Sequence, residues 1–191
     1  GGLMAKACAD TNGGMAAVMN AQPELVSNIC SQSGVDVANF NCPGQIVISG
    51  PKKELKVAMH LLEQAGVSKI IELQVAGAFH SRCMQSAADE FGPVVDAAEL
   101  QTPKVQFVQN FNGGFEGDPD KIAANLKAQV TGSVRWEQCV RTMMDAGVEA
   151  LIELGPGKVL TGFIRRIERR FPVLTVGSLE QVEAAASTLM S

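Results

Sequence analysis

A histidine in this sequence stands where α/β folds put their chemistry. Val75-Ala76-Gly77-Ala78-Phe79-His80-Ser81 reads as the end of a strand followed at once by the start of a helix, and loops at strand ends carry reactive side chains. An imidazole titrates near neutrality, so His80 is suited to act as a general base. A capping or surface histidine without a duty fits the same context equally well. His60, the other histidine, shares a polar helix face with Lys53 and Lys56 and reads as solvated.

A base needs a nucleophile. The strained GxSxG elbow that presents a serine in hydrolase-like folds does not occur in these 191 residues. Cys83, one helical turn beyond His80, has the spacing for a thiol–imidazole pair. The plainer reading is a small apolar helix residue beside Met84, because cysteine is among the most often buried residue types.

Two other motifs invite the same weighing. Gly155-Pro156-Gly157-Lys158 looks superficially like a phosphate loop, but the GxxxxGK[ST] spacing is missing and Val159 stands where the metal-binding hydroxyl belongs. A tight turn that allows close backbone approach is the better account. Arg165, Arg166, Arg169 and Arg170 form a basic run near a helix C-terminus, opposite an apolar stripe of Val159, Phe163, Ile164 and Ile167. The helix dipole favours such charges on a solvated face, and they could also attract an acidic partner.

The elements that must position these residues fall into two sets. Over residues 15–76, Met15–Met19 is a short apolar run, and Pro23–Ser33 carries Leu25, Val26, Ile29 and Cys30 at helical spacing before Gly34. Val35–Asn41 and Gln45–Ser49 are β-rich runs joined by the turn Cys42-Pro43-Gly44. Pro51 opens a second helix lined by Leu55, Ala58, Met59, Leu62 and Ala65 and ended by Gly66, and Ile70–Val75 closes the set. The order β-α-β-β-α-β is that of a ferredoxin-like small subdomain. Residues 1–14 read as a connecting segment.

Residues 77–191 alternate differently. A long helix is expected from near Ser81, with Gly92-Pro93 breaking or kinking it. Val105–Gln109 alternates like a strand. Asp118-Pro119 is an N-cap followed by proline at the first helical position, before a helix over Asp120–Val130. Trp136, Cys139, Val140, Met143 and Met144 mark a helix stopped at Gly147. Val148–Leu154 reads as a strand, Val159–Ile167 as a helix, Val173–Val176 as a strand, and a last helix begins near Leu179. Strands separated by helices imply a mainly parallel α/β sheet. About three such strands are fewer than a usual sheet holds, so the rest of that sheet is expected to come from elsewhere.

Composition narrows the function classes. An apolar fraction of 46% is enough to bury one sizeable core or two small ones. A net charge of −4 and a pI near 5.2 lack the cationic footprint that nucleic acid requires. No stretch approaches a membrane helix, and the first residues do not show a basic region followed by an apolar one. Five scattered cysteines fit neither a disulfide framework nor a zinc site, which points to a reducing, cytoplasm-like compartment. The start at Gly1 reads as a processed chain or a piece of something longer.

The stretches GGMAAVM, VANFNCPGQIVISG, VAGAFHSRCM, SVRWEQCVRTMM and IELGPGKVLTGFIRRI, in this order, resemble the malonyl-CoA:acyl-carrier-protein transacylases of fatty acid biosynthesis. The resemblance implies an α/β-hydrolase-like large subdomain, of which residues 77–191 would be the C-terminal part, interrupted by the ferredoxin-like one. It implies a ping-pong acyltransferase. A serine in a GHSLGE elbow takes malonyl from coenzyme A, and the phosphopantetheine thiol of acyl carrier protein then takes it from the serine.

On this resemblance His80 is the base, and Gln129 matches the position whose main-chain carbonyl orients it. Phe79 matches a phenylalanine that accompanies malonyl preference, and it also fits a core aromatic. Asn39 and Asn41 fall in the loop near the active-site cleft and are candidates for substrate contact. Arg165, Arg166, Arg169 and Arg170 become candidates for carrier-protein docking. No metal or bound cofactor is implied; malonyl-CoA is a substrate.

The family's serine elbow, its oxyanion-hole glutamine and the arginine for the malonyl carboxylate would all precede Gly1, and none of Arg82, Arg135 or Arg141 stands in for that arginine. The expectation is therefore a chain that is inactive alone and needs a missing N-terminal segment. The alternative is a catalytically inactive module that docks acyl carrier protein. The compartment expected is cytoplasmic, or an organelle stroma if a transit peptide preceded the chain.

Overall fold

The structure, a computed structural model, describes residues 1–189. Its contacts divide the chain into Gly1–Cys139 and Val140–Ser191.

The first unit is built on a four-stranded antiparallel sheet. β1 (Gly13–Met19), β2 (Asp36–Cys42), β3 (Gln45–Pro51) and β4 (Lys69–Glu72) lie in the order β2-β3-β1-β4. Along β1 the side chains alternate between faces. Ala16 and Val18 join Ile46 and Ile48 beneath α2 (Pro23–Ser33) and α3 (Lys52–Gln64), where Val26, Ile29, Leu55, Ala58 and Leu62 complete one core. Met15 and Ala17 point the other way, to Ala38, Val47, Leu73 and Phe79. Both faces are covered, which is why GGMAAVM reads as an unbroken apolar run rather than an alternating one. Gly34 takes φ of 74° as the left-handed cap of α2.

The elements before and after this sheet depart from expectation in ways with physical causes. Residues 2–10, within the expected connecting segment, form a helix, α1 (Gly2–Asp10), whose Ala7 packs with Met84, Ala87 and Val130. A single 3-10 turn, Arg82–Met84, precedes α4 (Gln85–Asp96), and α4 runs through Gly92-Pro93 without breaking. Proline restricts its predecessor partly by a clash with that residue's Cβ, and Gly92 has none.

Val105–Gln109 is not a strand. Only one antiparallel bridge, Val108 to Phe115, forms there, and Val105 is 77% exposed, so the alternation finds no neighbouring strand to pair with. α5 (Pro119–Gln129) starts as expected, with the Asp118 carboxylate accepting from the Asp120 N–H. After α5, Val134 lies along β2: its N–H donates to Ala38 O and its carbonyl accepts from Phe40 N, each at 2.8 Å. α6 (Trp136–Asp145) begins at the sole tryptophan, whose indole Nε1 is buried with no hydrogen-bond partner.

The second unit holds a parallel pair, β5 (Leu151–Leu154) and β6 (Val173–Val176), linked through α7 (Val159–Ile167) and followed by α8 (Leu179–Leu189). Among the described residues the expected three parallel strands are thus two. Glu153 points from β5 to the first turn of α7, where its carboxylate accepts from Leu160 N at 3.0 Å and Thr161 N at 2.7 Å. Those are donors that a helix start leaves without intrahelical partners.

Candidate active site

The chain leaves the sheet after β4, with Leu73 N still donating to Met15 O, and enters a turn whose small residues are dictated by space. A Cβ on Gly13 would stand 2.7 Å from Ala78 Cβ, and one on Gly77 would collide with Cys8 Sγ. These approaches seat the turn between β1 and α1. The next residue but one, His80, then adopts φ of 53°, the left-handed region that non-glycine residues hold at a cost of roughly 1–2 kcal/mol.

Several contacts surround that backbone. The buried Ser81 hydroxyl donates to Ala78 O at 2.7 Å and accepts from Cys83 N at 3.2 Å, closing the turn and capping the 3-10 segment. Arg82 is held by Asp36: its main-chain N–H donates to Oδ2 at 2.8 Å, and its Nη2 donates to Oδ1 at 2.7 Å. The Arg82 side chain is 60% exposed, so this ion pair adds little to stability by itself.

The imidazole faces the end of α5. His80 Nδ1 lies 3.0 Å from the carbonyl oxygen of Gln129, the last residue of that helix and so one of the carbonyls a helix leaves unpaired. A carbonyl can only accept, so in the neutral ring this contact places the proton on Nδ1 and leaves Nε2 its lone pair. The Gln129 side chain turns back to donate to Gly132 O at 2.7 Å, while Gly132 N donates to Ala128 O at 2.9 Å. No side chain fits at Gly132, where a Cβ would stand 2.7 Å from the Phe111 ring. A cleft of about 180 Å³ beside Gln129, bordered by Phe107, Asn110 and Asn125, is below the roughly 300 Å³ of an ordinary ligand site.

Phe79 packs between two cores, with Met84, Ala87 and Val130 on one side and Met15, Ala17 and Val47 on the other. Asn39 sits at an irregularity of β2, and the Asn41 amide reaches Gln45 Oε1 at 3.5 Å. At about 3.3 Å per residue, Asn41 stands some 16 Å along β2 from Asp36. Cys83 packs in the same cluster as Phe79. His60 is exposed, 4.0 Å from Glu63.

Arg165 and Arg166 lie in the last turn of α7. Arg169 and Arg170 do not share that helix, which ends at Ile167; they fall in the turn beyond it. The apolar stripe opposite them is also incomplete, for Ile164 is buried but Val159 is 64% exposed. Asp36 and Ser81 escaped the reading of the residues. Ser81 follows the histidine directly and could have been found as a cap, whereas no spacing pattern links Asp36 to Arg82.

Among the described residues no group of three or more His, Cys, Asp and Glu side chains could hold a metal ion, and no helix is long and apolar enough to cross a membrane. Burial pushes the Cys30 thiol up to about 12, helped by the charge of Asp36, and the Cys139 thiol up to about 11. Neither can act as a thiolate near neutrality.

A mixed α/β chain with a carbonyl-held histidine after a strand has clear relatives. The chain belongs to the acyl transferase domain family, matching it over residues 1–185. It is 34% identical to the malonyl CoA-acyl carrier protein transacylase of Bacillus subtilis, covering 99% of this chain and 61% of that protein. The acyl carrier protein S-malonyltransferase of Vibrio cholerae superposes with a TM-score of 0.91 at 34% identity, over 96% of this chain and 61% of the other. A malonyl-transacylase solved in complex with a type II PKS acyl-carrier protein superposes with a TM-score of 0.92 at 29% identity, over 98% of this chain and 62% of the other. The chain thus spans 61% of the length of the curated relative from Bacillus subtilis.

Proposed function

We propose that this chain supplies the histidine side of a malonyl transfer from coenzyme A to the phosphopantetheine thiol of acyl carrier protein, in fatty acid biosynthesis. The observation that carries the reading is the contact of His80 Nδ1 with the Gln129 carbonyl at 3.0 Å. Nε2 is then free to take the proton of a serine hydroxyl as its oxygen attacks the malonyl thioester. The coenzyme A thiol leaves with that proton; the carrier thiol later gives its own proton to Nε2 as it attacks the malonyl-serine ester, and Nε2 passes it to the departing serine oxygen. Gln129 orients the ring, as the third member of a triad does.

The strand order β2-β3-β1-β4 with α2 and α3 on one face supports a ferredoxin-like small subdomain over residues 15–76. The β5-α7-β6 unit supports a piece of an α/β-hydrolase-like sheet within residues 77–191. The serine comes from a segment not in this chain, so the chain alone is inactive. Phe79 shapes the malonyl site while packing in the core, and Asn39 and Asn41 face the substrate. The arginines of the α7 end receive the carrier protein, no cofactor is resident, and free thiols suit a cytoplasmic or stromal compartment.

Two measurements test this. Incubated with malonyl-CoA, the chain should show no malonyl adduct by intact mass; an adduct would transfer the nucleophile role to Cys83. In the complete enzyme, His80→Ala, or His80→Asn, which better suits a left-handed backbone, should cut malonyl transfer to the carrier by several orders of magnitude while the protein stays folded. Near-normal turnover would make His80 structural. A complete protein that binds carrier yet transfers nothing would be a docking module.

A further inference from the structure

We propose that Asp36 is a positioning residue for His80, and that β2 is the common support for both partners of the His80–Gln129 contact. The proposal takes the role of His80 as base from the reading above, but its test examines the imidazole ring rather than turnover, so either can fail without the other. The left-handed His80 persists only where its surroundings over-determine it. Ser81 bonds within the turn, to Ala78 and Cys83, and so sets the turn's shape but not its place.

Asp36, the first residue of β2, reaches across from the sheet. Its carboxylate takes the Arg82 main-chain N–H at 2.8 Å, two residues beyond His80, and grips the Arg82 guanidinium through Nε at 3.0 Å and Nη2 at 2.7 Å. The same strand holds the other side. Ala38 and Phe40 of β2 bond Val134, each at 2.8 Å, in the segment that leaves the C-terminus of α5 just after Gln129. One short strand thereby fixes the imidazole from one direction and its carbonyl acceptor from the other, and the 3.0 Å contact is the distance that remains.

The test uses the chain labelled with ¹⁵N in its histidine rings. With only two histidines, exposed His60 is an internal reference expected to carry its neutral proton mainly on Nε2, as the ring of free histidine does in water. Wild-type His80 should show the proton on Nδ1. Asp36→Ala should lose that signature and speed modification of His80 by diethyl pyrocarbonate several-fold relative to His60. Asp36→Asn, which keeps an acceptor for the Arg82 N–H, should retain most of the signature, and Arg82→Gln should fall between.

A folded Asp36→Ala whose His80 ring and modification rate match wild type overturns the proposal. So does a wild-type His80 ring indistinguishable from that of His60. If Asp36→Ala does not fold, Arg82→Gln decides, since it changes a side chain that is 60% exposed: an unchanged His80 ring there overturns the proposal, and a shifted one supports it.

Discussion

Burying a thiol has a consequence on the alkaline side of the stability profile. Cys30 keeps its proton to about 12 and Cys139 to about 11, against an ordinary value of 9.0. Above pH 9 the unfolded chain releases these protons while the native one does not, so the native state binds more protons and stability falls as pH rises. Each thiol can contribute a slope of up to about 1.4 kcal/mol per pH unit between its two values. Urea midpoints should therefore decline from pH 9 to 11, and Cys30→Ala should flatten the decline; an equal slope in the variant would contradict the burial argument. At this scale His80 stood out by residue type, but not by its place: β4 ends at Glu72 and not at Val75, so the histidine does not follow a strand at once. Gln129 did not stand out, since a main-chain carbonyl leaves no mark in side-chain chemistry, and only the family resemblance pointed to it. Asp36 left no mark either, because its partner is 46 residues away.

Helices were legible where one period ran uninterrupted. α2 and α3 carry such patterns, the three longer strands showed instead as apolar or β-rich runs, and Asp118-Pro119 announced α5. Val105–Gln109 misled because alternation describes a strand's faces and says nothing of whether a neighbour exists to pair with it. α1 was missed because its alanines and glycines carry no strong stripe. Glu153 joins two elements in a way no local pattern shows, since a strand residue caps the following helix. Burial opposes its ionisation, but hydrogen bonds from Thr161, Leu160 and Val159 outweigh that and hold its carboxyl below the usual carboxylate range. Because the folded value is depressed, the stabilisation is present above the unfolded value and is lost as pH falls through the folded one. Glu153→Gln should thus lower stability by about 1 kcal/mol at pH 7, the size of a lost helix cap, and the gap to wild type should close as pH falls through the depressed folded value. A gap that persists in acid would mean that shape, not charge, matters there.

Taken whole, the molecule is acidic, with a net charge of −4, yet α7 ends in Arg165 and Arg166. Local positive charge on an acidic protein governs encounter with an acidic partner more than final affinity. On the function proposed above, reversing Arg165 and Arg166 to glutamate in the complete protein should slow use of the carrier protein at low ionic strength and leave acylation by malonyl-CoA much less changed. The contrast should fade toward 1 M salt, where screening acts within about 3 Å. Equal changes in both half-reactions, or none, would reduce the arginines to a solvated face. Two of the three candidate parallel strands pair, as β5 and β6; the third, Val105–Gln109, instead meets Phe115 in an antiparallel bridge. The position of the one tryptophan has a further, optical consequence. Trp136 belongs to the unit that ends at Cys139, and the chain has no tyrosine. Tryptophan emission therefore reports on the surroundings of one point, the start of α6, a helix that runs past Cys139 to Asp145. An emission melt follows that point, and circular dichroism is needed to follow elements remote from it, such as β5, α7 and β6.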